Sequence, residues 1–216
     1  MKINFHSVLP DPFSSITNQT ESIWNSTFEL DSTKQKKVLI SASSGKGKTT
    51  FVNMLVGLRS DYSGEIYINH KNIRSLTIEE WVDIRANKIS VIHQDLQLFP
   101  NLTAVENIDL KNELTNTLSK IEIEKLLVKV GLIDLKNQQV ATMSMGQKQR
   151  IAIIRALCQP FEWLVLDEPF SHLDDENTEI CFKMIHERCQ HLKAGFILTS
   201  LDLFKNYQFD VSRKLE

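Results

Sequence analysis

Residues 38–51 read VLISASSGKGKTTF, an apolar run that breaks into serines, two glycines, two lysines and two threonines. The chain has only seven glycines, and two of them, Gly45 and Gly47, stand beside Lys46, Lys48 and Thr49. A buried strand, then G-x-x-x-x-G-K-[ST], then a helix is the pattern of a phosphate-binding loop, in which backbone N–H groups and a lysine surround a polyphosphate. Val38 to Ser41 is the expected strand, Gly47-Lys48-Thr49 closes the motif, and Thr50 opens into helix. One position departs, because the first glycine of the pattern falls on Ala42. If φ there must be positive, alanine carries a steric cost of about 1 kcal/mol; if not, the change is harmless. Taken alone, the stretch also reads as a plain turn between strand and helix.

The rest of the chain sets bounds. At 216 residues it suits one domain, 1–216, long enough to bury a sizeable core. A formal net charge of −2 argues against a surface that coats nucleic acid, so no direct nucleic-acid binding is expected. Met1 to His6 lead into no apolar segment, so no secretory signal is expected. No apolar run approaches the roughly 18 residues that would span a membrane. Cys158, Cys181 and Cys189 lack C-x-x-C spacing, which points to a reducing cytosol rather than a disulfide framework or zinc site. Cys181 and Cys189 fall in a helical pattern as core-side thiols.

Strand and helix patterns alternate. Thr27 to Leu30 and Val38 to Ser41 read as strands joined by a solvated hairpin tip at Lys34, Lys36 and Lys37. Ser14 to Ser22 reads as a loop, and Lys48 to Leu58 as a helix. SGEIYINHKNI, residues 63–73, alternates as a half-exposed strand after a turn at Ser63-Gly64, and Ile89 to Ile92 is a short buried strand. Between Pro100 and Pro160 the pattern is helical, with Ile123, Leu126, Leu127 and Val130 on one face and Gly131 as the stop. A strand through Trp163, a helix over Asp175 to Gln190 and the strand GFILTS follow. The expected class is α/β with parallel strands and an inserted helical subdomain over about 101–160.

LVLDEP, residues 164–169, ends a buried strand in Asp167 and Glu168, which delivers both carboxylates to a ligand crevice at the sheet edge. Asp167 suits holding Mg²⁺ and Glu168 suits orienting or deprotonating an attacking water. The bland alternative is an acidic cap before a helix. TMSMGQKQRIAIIRAL, residues 142–157, resembles the L-S-G-G-Q signature of ATP-binding-cassette (ABC) ATPases with its Q-R…RAL continuation. Ser144, Gly146 and Gln147 match, while Met143 and Met145 replace leucine and glycine. ISVIHQDLQLFPNLTAVENI, residues 89–108, looks like the family's Q-loop around Gln94, and SHLD, residues 171–174, looks like its D-loop with Ser171 and Asp174. The resemblance runs from about Ile23 to Leu201.

The resemblance implies a P-loop NTPase fold with a mixed, mainly parallel sheet, an antiparallel β subdomain and the helical subdomain carrying the signature. It implies ATP held by Ser43, Ser44, Gly45 and Lys46, then Gly47, Lys48, Thr49 and Thr50, with Mg²⁺ on Thr49, Gln94 and Asp167. Glu168 and Gln94 would act in hydrolysis, while Ser144, Met145, Gly146 and Gln147 would meet ATP held by a partner copy. An ATP-dependent homodimer and a multi-span permease are the implied partners, which places the chain in the cytoplasm on the inner membrane face. LTAVENI, residues 102–108, resembles the lipoprotein-release and macrolide-exporter branch, and the apolar Leu96, Leu98, Phe99, Pro100 and Leu102 offer either a permease groove or subdomain core. A soluble non-transport cassette or a regulatory cassette with little turnover are the alternatives.

Two further positions bear on activity. Ser200 stands where the family has its switch histidine, and a short neutral hydroxyl cannot bring positive charge to a γ-phosphate, so slow hydrolysis is expected. Phe13 is the candidate platform for adenine, whereas Trp24 and Phe28 read as packing, and His93 reads as an ordinary strand histidine.

Overall fold

The computed structural model describes residues 1–13, 22–24, 26–201 and 207–215. Five strands, β3 (Lys37–Ser41), β6 (Ile89–Ile92), β7 (Trp163–Asp167), β8 (Gly195–Ser200) and β9 (Val211–Lys214), form a parallel sheet in the order β6-β7-β8-β3-β9. Successive side chains on a strand point to opposite faces, so a sheet covered on both sides needs continuous apolar strands. Leu39, Leu164, Leu166 and Leu198 enter one core with the helices, while Val38, Ile40, Val165 and Ile197 enter the other. Asp167, Ser200 and Ser41 then fall together at the carboxyl ends of three adjacent strands.

The second core is closed by an antiparallel sheet of β1 (Lys2–Pro10), β2 (Thr27–Asp31), β4 (Tyr62–Ile68) and β5 (Lys71–Asn72), in the order β2-β1-β4-β5. The antiparallel β subdomain that the resemblance implies is thus present beside the core sheet, whose described strands are all parallel. Two expectations need correction. β2 and β3 do not form a hairpin, because β2 pairs with β1 while β3 pairs with β8 and β9. Lys36 between them is tied down, its Nζ donating to the carbonyls of Ser32 and Lys193. Ser63-Gly64 is not a turn either, since both lie inside β4. Gly64, at φ +79°, faces a bulge in β1 where an added Cβ would sit 2.3 Å from the Ser7 carbonyl. The reversal falls at Asn69 and His70, both left-handed.

Helix α1 (Lys48–Leu55) follows β3 and ends at Leu55, three residues before the expected Leu58, with the left-handed Gly57 (φ +69°) just beyond it. The block between the sheets' strands is helical, with α3 (Ala104–Thr115), α4 (Lys120–Lys129) and α5 (Met145–Leu157) preceded by the short α2 (Ile78–Asp83). Thr77, Thr103, Ser119 and Ser144 each close a reciprocal cap with a Glu or Gln three residues on, which explains where these helices begin. Gly131, at φ +65°, follows the C-cap of α4 as expected. Helix α6 (Asp175–Leu192) carries Cys181 and Cys189 into the core, where burial pushes both thiols up to about 12. The expected loop over 14–22 lies, apart from Ser22, outside the described residues.

Candidate functional site

The loop ahead of α1 turns on Gly45 (φ +76°) and Gly47 (φ +97°). Gly47 is also pinned sterically, because an added Cβ would lie 2.8 Å from Phe13 and 3.0 Å from Trp24. Ala42 does not share the left-handed conformation, so its missing glycine brings no backbone strain. The N-cap of α1 is Gly47, which makes no side-chain hydrogen bond, whereas α2 to α6 all have side-chain caps. The first N–H groups of α1 are therefore open to an anion. Lys48, buried beside them, donates from Nζ to the carbonyls of Ala42 at 2.8 Å and Ser43 at 3.0 Å, and pairs with Glu168 Oε1 at 3.3 Å.

A cleft of about 240 Å³ joins this loop to the strand ends; Phe13, Ser44, Gly45, Thr50, Gln94 and Glu168 line it together with Gly47, Lys48 and Thr49. Phe13 stacks on Trp24 at 6.0 Å and 17° while its ring edges the cleft. Neither Lys46 nor Ser43 is part of that lining, although the Ser43 carbonyl accepts from Lys48 Nζ. Ser200 lies at the end of β8, where its carbonyl accepts from Ala42 N at 3.2 Å. With Glu168 and Ser171 it borders a second cavity of about 220 Å³, space that a larger side chain at position 200 could enter.

Thr49 Oγ1 lies 3.1 Å from Gln94 Oε1. Asp167 Oδ1 accepts from Thr199 Oγ1 at 2.6 Å, while its Oδ2 is buried without a hydrogen-bond partner. A buried carboxylate oxygen left unpaired is costly, and a hydrated cation would satisfy it. Hydroxyl, amide and a single carboxylate suit Mg²⁺, which keeps several waters and takes phosphate oxygens as remaining ligands. Among the described residues no group of three His, Cys, Asp or Glu could hold a metal by itself. His93 is half-buried beside Gln94; burial lowers its pKa against the opposing pull of Asp95 and Asp167.

Ser144, Met145, Gly146 and Gln147 do not line the cleft. They form the exposed start of α5, with Ser144 Oγ accepting from Gln147 N at 3.3 Å and Gln147 Oε1 from Ser144 N at 2.8 Å. Gly146 allows close approach of the loop after β7: an added Cβ would lie 2.9 Å from the His172 carbonyl. Ser171 Oγ lies 2.9 Å from His172 Nδ1, and Asp174 caps α6, its carboxyl pKa lowered by hydrogen bonds from Asn177. A phosphate loop, a strand-end carboxylate pair and a separate capped serine–glycine helix start thus occur on one chain.

A family model for ABC transporters matches residues 26–171. The chain belongs to the ABC transporter family. The lipoprotein-releasing system ATP-binding protein LolD of Saccharophagus degradans is 33% identical over 169 residues, covering 77% of this chain and 74% of its own. LolD of Francisella tularensis is 32% identical over 177 residues, covering 80% and 77%. Among solved structures, the dimeric structure of the bacterial ABC transporter cassette MJ0796 matches with a TM-score of 0.81 at 24% identity, over 98% of this chain and 94% of that one. A post-hydrolysis state of MJ0796 bound to ADP and Pi gives 0.76 at 24% identity, over 93% and 88%. At that identity the likeness establishes the fold.

Two residues of the Q-R…RAL continuation, Gln149 and Arg155, make contacts that are not legible in the sequence. Gln149, buried in α5, donates from Nε2 to the Glu168 carbonyl at 3.2 Å and accepts His172 N at 2.9 Å. Arg155, at the other end of α5, donates to the carbonyls of Leu96 at 2.6 Å and Gln97 at 2.7 Å. The local signal is Arg155, the one polar residue in the run from Ile151 to Leu157; Gln149, between Lys148 and Arg150, carries none. The stretch after Gln94 divides: Leu96 is core, while Phe99 is exposed.

Proposed function

We propose that this cassette binds Mg²⁺–ATP in the Lys48 cleft, closes head to tail on a second copy of itself, and hydrolyses ATP to drive a separate multi-span membrane permease. The open N-terminus of α1, with buried Lys48 beside it, carries this reading. An arriving γ-phosphate replaces Glu168 as the partner of Lys48 Nζ, and the released carboxylate becomes available to orient and deprotonate water. Thr49, Gln94 and the free Oδ2 of Asp167 would hold Mg²⁺, which when bound neutralises phosphate charge. Phe13 offers the face on which adenine stacks.

In this reading the whole chain, 1–216, is one ATPase domain, with a helical subdomain over about 101–160 that presents Ser144, Gly146 and Gln147 to the partner's ATP. Met145 takes the family's glycine position there, and Ser171 and Asp174 face the same interface through the loop between β7 and α6. The exposed Phe99 favours a permease contact at the rim after Gln94. The cassette then works at the cytoplasmic face of the membrane through that permease; among the described residues no helix is long and apolar enough to cross a membrane. Both LolD relatives are named for lipoprotein release, and a permease of that kind is the partner to try first. Ser200 makes hydrolysis slow.

Glu168→Gln keeps ATP binding and lowers turnover by roughly 100-fold or more, leaving a closed dimer that light scattering detects with ATP and Mg²⁺ but not with ADP. Wild-type turnover in that variant would remove Glu168 from catalysis, and a monomer at saturating ATP would remove the dimer.

A further inference from the structure

Three residues around the cleft adopt the left-handed conformation although each carries a Cβ: Glu168 at φ 49°, Leu96 at 60° and Gln97 at 46°. Such backbone is strained and persists only where the surroundings enforce it. Side chains of a single helix grip all three. Gln149 of α5 donates to the Glu168 carbonyl and to Ser171 Oγ at 3.3 Å, and accepts from His172 N, so the turn after β7 is gripped at both ends by one amide. Arg155 of α5 donates one N–H to each of the Leu96 and Gln97 carbonyls. Close by, Ser90 Oγ donates to the Ala156 carbonyl at 2.7 Å, tying the strand that leads to Gln94 to the same helix end.

The two grips lie six residues apart on one helix, a span of about 9 Å, so they move together. The helix begins at the capped Ser144, away from the cleft. We propose that Gln149 and Arg155 are positioning residues that hold Glu168 and the segment after Gln94 in their strained backbone, so that displacing α5 disengages both sides of the catalytic site in one movement. The inference rests on the ATPase reading above. It makes turnover depend on where α5 sits, even though neither side chain touches nucleotide.

The test exploits the strain. Glycine adopts positive φ without steric cost, so Gln97→Gly removes one of the two strained points that Arg155 must hold. Four proteins are compared: wild type, Arg155→Lys, Gln97→Gly and the double variant, each by steady-state phosphate release and by amide hydrogen exchange over residues 94–99. Arg155→Lys, which cannot reproduce the two-pronged contact, lowers kcat about tenfold with KM for ATP within about twofold, and speeds exchange over 94–99. Adding Gln97→Gly slows that exchange again and returns kcat to within about threefold of wild type. A double variant no better than Arg155→Lys, a loss expressed in KM alone, or unchanged exchange in Arg155→Lys overturns the proposal. A wild-type protein that releases no phosphate overturns the ATPase reading instead, and the exchange comparison then decides the grip by itself.

Discussion

Left-handed backbone occurs on both sides of the nucleotide cleft, but the two sides sustain it differently. On the phosphate-loop side it falls on Gly45 and Gly47, where no Cβ opposes it. On the facing side it falls on Glu168, Leu96 and Gln97, and each carbonyl is held by a side chain from α5. Left-handed conformation costs a residue with a Cβ about 1–2 kcal/mol, so in the proposal above the facing side depends on its grip. The loop is preset, and the catalytic side is conditional.

The preset side breaks most completely at Lys48. Lys48→Ala removes the point charge proposed to meet the phosphates and is expected to lower ATP affinity by about 100-fold or more, measured by fluorescent-nucleotide titration. Lys46→Ala, outside the cleft lining, changes affinity less than about threefold, and equal losses would mean that the loop is misplaced. Gly47→Ala comes next. It puts a Cβ at φ +97° and 2.8 Å from Phe13, so affinity falls by about tenfold and thermal stability drops in a melting scan.

The conditional side is sharpened by a gain. Ser200→His fits a donor into the cavity of about 220 Å³ beside Glu168 and raises kcat by up to about tenfold, with ATP affinity unchanged. An unchanged or lower kcat would mean that the γ-phosphate contact is made by other groups. The smallest effect belongs to Ala42→Gly. Because φ at Ala42 is not positive, restoring the family's glycine alters ATP affinity by less than about twofold; a larger gain would place hidden strain at that position.

The same contrast explains what was legible in the sequence. Gly45, Gly47 and Lys48 announce their backbone and charge through residue type, and the apolar run from Trp163 to Leu166 announces a buried strand that ends in carboxylates. The grip of Gln149 and Arg155 depends on carbonyls 19 and 58 residues away or more, and no local pattern encodes which carbonyl a side chain will meet. β1 was missed because its alternation is interrupted by a bulge opposite Gly64, and β9 because its side chains are mostly exposed. The hairpin expected at Lys34 to Lys37 failed for a tertiary reason: adjacent strands in sequence went to different layers. Ala42 shows the converse limit, where a motif mismatch carried no structural consequence.

One detail of α5 bears on how a closed pair would come apart again. α1 meets solvent with its N–H groups unclaimed, but α5 begins already satisfied, its Ser144 and Gln147 bonded to one another. In the proposed pair, a phosphate arriving at Ser144 would find half of this helix start already committed: the N–H groups of Ser144 and Gln147 are bonded, and the hydroxyl proton is left to donate. Attachment at that second contact would then be weaker than attachment at Lys48, so separation would begin there while the nucleotide stayed with the chain that first bound it.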